Sequence, residues 1–138
     1  MYLCKCMCHH RDTTRVSPTL LATVSDIVAS KMYAQKIGYS TILWTDKEHA
    51  DTFKGYRQAN GRDITEIPLI EIMNAIALTV QEQLSIKTDA LTLLVAKRLG
   101  FARRGAKVEL ALNNGLEALL NANRVVECEG VIKLPEQQ

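Results

Sequence analysis

A chain of 138 residues with 47% hydrophobic and 23% charged residues can build one domain with a core, or a small domain with an appendage, and the patterning below favours the second. Its net charge is only +2, with nine Lys/Arg against ten Asp/Glu in residues 61–138 and eight against five in residues 1–60, which excludes a uniformly basic surface and makes any basic site a local one. No apolar run reaches the roughly 18 to 20 residues of a membrane span, so no membrane partner is expected, and the sparse aromatics weigh against base stacking as a mode of single-strand binding.

Residues 1–15 show no periodicity and are expected to be a disordered tail. The tail holds Cys4, Cys6, Cys8, His9 and His10, five soft or borderline metal ligands within seven residues. Structural zinc sites draw their second ligand pair from another part of the fold, whereas here every ligand lies on one strip. An incidental, oxidisable N-terminus is therefore expected, and no metal or other cofactor is assigned. With no apolar signal core and no disulfide framework among its four cysteines, the chain is expected in a reducing cytoplasm.

Residues 16–55 are read as a helix, a strand and a linker. Ser17-Pro18 makes a helix start, and Leu20, Leu21, Val24, Ile27 and Val28 follow at helical spacing, decaying past Met32. Tyr39 to Trp44 reads as a short strand with no partner in its neighbourhood. Residues 45–66 are polar and read as a linker with one helical turn, in which His49 is a solvated histidine rather than a base or ligand.

The compact part begins near residue 56. Leu69, Ile72, Met73, Ile76 and Val80 share one helix face, which Leu84 would extend by a turn. Ser85 to Lys87 can pair as an edge strand, and Thr88 or Asp89 then caps a second helix with Leu91, Leu94, Val95 and Leu99 facing inward. Gly100-Phe101 forms an elbow, with the glycine as left-handed cap. A third helix is expected from Arg103 to Ala122 on the stripe Val108, Leu112, Leu116 and Leu119. Asn113-Asn114-Gly115 alone signals a turn, but the stripe stays in phase on both sides of it. Glu129-Gly130 turns a terminal hairpin. Helices and hairpin in this order predict a mainly α fold, a winged helix-turn-helix over residues 56–138 preceded by an N-terminal helix.

Between Asp89 and Glu109 there is no acidic residue, so Lys97, Arg98, Arg103, Arg104 and Lys107 form an uncompensated run of cations, with Arg124 and Lys133 as flanking charge from the hairpin region. Such a run suits phosphates, and weak, salt-sensitive DNA binding through the start of the third helix is the expected function. A docking or oligomerisation domain, a homodimer included, is the alternative. The chain has no GxxxxGK[ST] loop and no cluster of nuclease carboxylates, so no catalytic residue is assigned and the chain is not expected to be an enzyme.

The runs GRDITEIPLIEIMNAIALTVQEQ, LGFARRGAKVELAL and ANRVVECEGVIKLP resemble the short C-terminal domain of unknown function on large bacterial proteins that join a superfamily I DNA/RNA helicase to a restriction-type endonuclease domain related to very-short-patch repair enzymes. The likeness covers roughly Tyr56 to Pro135 and rests chiefly on Ile67-Pro68, the elbow with Arg103 and Gly105, and the final hairpin. It implies an accessory or C-terminal module of such a system, with helicase or nuclease domains as partners.

Overall fold

The structure, a computed structural model, describes residues 32–37 and 40–135, together with Asp26. The expected tail, its five candidate ligands and the apolar stripe of the helix expected from Ser17 lie outside the described residues. The chain divides into two compact units, Met1–Phe53 and Lys54–Gln138.

In the first unit, strand β1 (Tyr33–Ile37) pairs antiparallel with β2 (Ser40–Trp44), Tyr33 standing opposite Trp44 and Ile37 opposite Ser40. The strand expected to be alone thus has a partner, drawn from the stretch read as the fading end of a helix. The reason is a period of two: Tyr33, Gln35 and Ile37 are half-buried while Ala34 and Lys36 are exposed. The Gln35 side chain also accepts a hydrogen bond from the Trp44 indole at 3.0 Å, locking the cross-strand register. A short helix, α1 (Lys47–Thr52), follows, and Phe53 at its end sets its ring 5.0 Å from that of Trp44. Asp46 caps α1 by accepting from the backbone of His49 at 2.8 Å, and the His49 ring lies 2.9 Å from the Thr45 hydroxyl. His49 closes a capping turn.

The second unit opens with a single 3-10 turn (Ile64–Glu66) and continues through α2 (Leu69–Gln83), β3 (Ser85–Lys87), α3 (Thr88–Arg98), α4 (Ala106–Asn121), β4 (Val126–Cys128) and β5 (Val131–Lys133). The three strands form an antiparallel sheet in the order β3-β5-β4, with Ile86 and Glu127 on either side of Ile132. Ile67, Ile72, Val80, Val95, Leu99, Leu112, Leu119 and Ile132 are fully buried at the centre. Each such side chain contributes roughly 1.5 to 3 kcal/mol of transfer free energy, so the three helices and the sheet close on one core. Gly115 marks the tightest crossing: a Cβ there would lie 2.8 Å from Ile72 Cγ2 and 3.1 Å from Ile76 Cδ1. The Asn-Asn-Gly run therefore stays helical because its glycine is wedged against α2.

Several expectations change. Among the described residues the fold is mixed α/β, with four α-helices and two small antiparallel sheets, rather than mainly α with one hairpin. Leu84 does not extend α2; it ends the helix with φ at +62° and is 77% exposed. Leu94 is 38% exposed, and the inner face of α3 is completed by Thr92 and Ala96 instead. No side chain caps α3, whose N-cap is Lys87; the Thr88 N–H and hydroxyl both donate to the Gly130 carbonyl, at 3.2 and 3.3 Å, tying the helix start to the β4–β5 turn. α4 begins at Ala106, so Arg103 and Arg104 stand before it in the connecting loop.

Candidate nucleic-acid interface

The elbow between α3 and α4 is built by backbone hydrogen bonds. Gly100 sits at φ +91°, its N–H donates to the Lys97 carbonyl at 3.0 Å, and the Phe101 N–H reaches back to Ala96 at 2.9 Å. These two bonds are the Schellman pair that ends a helix at a left-handed residue, and Phe101 packs onto the core as the accompanying apolar contact. The carbonyl of the C-cap residue Leu99 accepts from the Ala59 N–H at 2.7 Å. Ala59 opens a turn over Asn60-Gly61, whose φ values of 47° and 85° are those of a type I′ turn, closed by the Arg62 N–H on the Ala59 carbonyl at 2.9 Å. Asp63 follows as a capping box for the 3-10 turn, accepting from Thr65 while Glu66 accepts from the Asp63 N–H. Elbow and turn face each other across an open groove of about 550 Å³, whose lining includes Arg62, Asp63, Phe101, Arg103, Gly105 and Lys107.

Of the five elbow cations, the fold gives partners to three, and the run that is uncompensated in sequence is partly compensated in space. Arg98 forms an ion pair with Glu82 near the end of α2 and donates to the Tyr56 hydroxyl at 3.5 Å. The bond to Glu82 raises its pKa above the ordinary guanidinium value, with burial opposing. Arg104 donates to the Thr92 hydroxyl at 2.7 Å, which itself donates to the Asp89 carbonyl, so Arg104 is turned back onto α3. Lys107 lies 3.9 Å from Asp63, both exposed. Lys97 and Arg103 are exposed and make no ion pair or side-chain hydrogen bond among the described residues. The two flanking cations lie elsewhere. Arg124, beyond the C-terminal end of α4, lines a second groove with Lys54, Asn74 and Leu78. Lys133 is on β5, on the sheet face opposite the buried Ile132.

The groove therefore brings together Arg103 and Lys107, adds Arg62, and leaves out Arg124. The sequence reading missed Arg62. Its guanidinium is held by the Gln58 and Ala59 carbonyls at 2.8 and 3.1 Å, and the Asn60-Gly61 signal just before it was the available clue. At the groove's edge α4 starts from Gly105, which supplies no side-chain cap. Its first ladder bond runs from the Glu109 N–H to the Gly105 carbonyl at 2.9 Å, leaving the N–H groups of Ala106, Lys107 and Val108 without acceptors among the described residues. Uncapped N–H groups at the positive end of a 16-residue helix, beside two cations, are suited to an anionic oxygen.

Among the described residues no helix is long and apolar enough to cross a membrane, and no group of three or more His, Cys, Asp or Glu gathers as a metal site. Comparison of the chain with family models, curated proteins and solved structures finds no match in any of the three.

Proposed function

We propose that residues 56–138 form a winged-helix module that binds nucleic acid, DNA foremost, without catalysis, as an accessory or C-terminal part of a helicase and restriction-type endonuclease system. The order α2, β3, α3, α4, β4, β5, with β3 laid beside the last strand, supports the winged-helix reading. The link to a helicase or nuclease partner rests on the sequence likeness described above. One observation carries the binding mode: the start of α4 joins free N–H groups to Arg103 and Lys107 on one open groove. Lys97 adds charge from α3, while Arg98 and Arg104 hold the elbow in shape.

Fluorescence anisotropy of the chain with a short labelled duplex tests this, beside an Arg103→Glu/Lys107→Glu variant whose fold is checked by circular dichroism. Arg104 is left intact because it holds Thr92. Salt-sensitive binding that is lost in the folded variant supports the proposal; no binding by the wild type at low salt overturns it.

The second reading, a docking domain, is favoured by exposed leucines on two helices, Leu93 at 46% and Leu110 at 63%, and by the internal pairing of the elbow cations. A chain that ignores DNA but self-associates in light scattering would fit that reading, with a second copy as the occupant.

A further inference from the structure

The outward face of α4 carries Lys107, Leu110, Asn113, Asn114 and Glu117, all exposed, while Val108, Leu112, Gly115, Leu116 and Leu119 turn inward. Asparagine is a poor helix former, and a solvated face without a task is better filled by Glu, Lys or Gln. Here two asparagines stand side by side in the middle of a 16-residue helix. Packing explains the glycine that follows them, through its contact with Ile72, but it does not explain the asparagines, which are exposed and make no side-chain hydrogen bond among the described residues.

We infer that this face reads sequence, with Asn113 and Asn114 recognising adenine and Leu110 contacting the methyl group of thymine; the inference rests on the nucleic-acid reading of the preceding section. A carboxamide offers one donor and one acceptor side by side, the complement of adenine N6 and N7 in the major groove. A helix about 10 to 12 Å across fits a groove about 12 Å wide. With the start of α4 anchored on phosphate by Arg103 and Lys107, residues one to two turns further along reach the base edges. Leu110 and the asparagine pair occupy that position. Glu109 in the first turn of α4 and Glu117, one turn beyond Asn113, both bound the reading face, because a carboxylate is repelled from the phosphate walls. The preferred target is a short A·T-containing core.

Selection of bound duplexes from a randomised library, followed by anisotropy on the enriched and a scrambled duplex, tests the inference. Asn113→Ala and Asn114→Ala both raise helix propensity, so the variants keep their fold. Each is expected to reduce the preference for the enriched duplex by roughly 5- to 100-fold, while affinity for the scrambled duplex and its salt dependence stay as in the wild type. Binding without any enriched sequence, or an enriched sequence equally preferred by both variants, overturns this inference and leaves phosphate binding standing. No binding to any duplex overturns both.

Discussion

At Gly115 the geometry decides the sign of a substitution. An added methyl would sit 2.8 Å from Ile72 Cγ2, a methyl of a fully buried, β-branched side chain that cannot swing aside, and 3.1 Å from Ile76 Cδ1. Overpacking of this kind costs about 1 to 3 kcal/mol, against roughly 0.5 to 1 kcal/mol gained by replacing a helical glycine with alanine. Gly115→Ala is therefore expected to lower stability by about 1 kcal/mol, read as a lower urea midpoint at unchanged slope. An unchanged or raised midpoint would mean that α2 and α4 separate easily. The close contact was legible in the sequence as an in-phase stripe running through a turn signal. Glu71 was not. It is 1% exposed on α2, and it is held by the Arg57 guanidinium and backbone N–H, with Nη2–Oε1 at 2.6 Å. Hydrophobic periodicity places a carboxylate outside the core, and only the return of residues 54–58 along a second face of α2, where Asn74 also donates to the Gly55 carbonyl at 3.0 Å, buries it.

Elements were legible where a local rule had one solution. α2, the Gly100 elbow and the β4–β5 hairpin each rest on such a rule: helical period, left-handed cap, two-residue turn. Where two rules competed, the tertiary partner decided. Tyr33 to Ile37 fits the end of a helix or a strand, and its pairing with Ser40–Trp44 selects the strand. The start of α4 moved three residues because Gly105 is the N-cap and Arg104 is drawn back to Thr92. The 3-10 turn carries a pH prediction. The Thr65 N–H first, the Thr65 hydroxyl and then Lys107 hold the Asp63 carboxyl below the usual range. A carboxylate that binds its proton more weakly when folded contributes stability above its unfolded pKa, and loses it as pH falls through the lowered folded value. Acid titration should show the wild-type chain giving up this contribution below about pH 4, with a shallower decline in Asp63→Asn. Superimposable acid limbs would show that the cap does not couple to folding.

Across the second unit, charge must be counted in space. In the sequence seven cations from Lys97 to Lys133 read as one basic footprint. The fold assigns Arg98 to Glu82 and Arg104 to Thr92, sends Arg124 to a groove shared with Asn74, and puts Lys133 on the outer face of the sheet. Glu127 on β4 and Glu129 in the β4–β5 turn make this hairpin a poor phosphate contact. Three of these seven remain for a polyanion, Lys97, Arg103 and Lys107, while the Arg62 guanidinium is tied to the Gln58 and Ala59 carbonyls. Counterion release converts that count into a measurable slope, because log K falls with log salt by about 0.9 for each phosphate neutralised on duplex DNA. Seven contacts would give a slope near about −6, and three a slope near about −3. Anisotropy titrations across a range of salt concentrations are expected to give the shallower value, and Asp63→Asn, which releases Lys107 from its neighbour 3.9 Å away, should strengthen binding at every salt concentration. A slope near about −4.5 would mean that Arg98 and Arg104 abandon their internal partners on the duplex, so that the elbow rebuilds itself on binding, and one near about −6 would require Arg124 and Lys133 to reach phosphate as well.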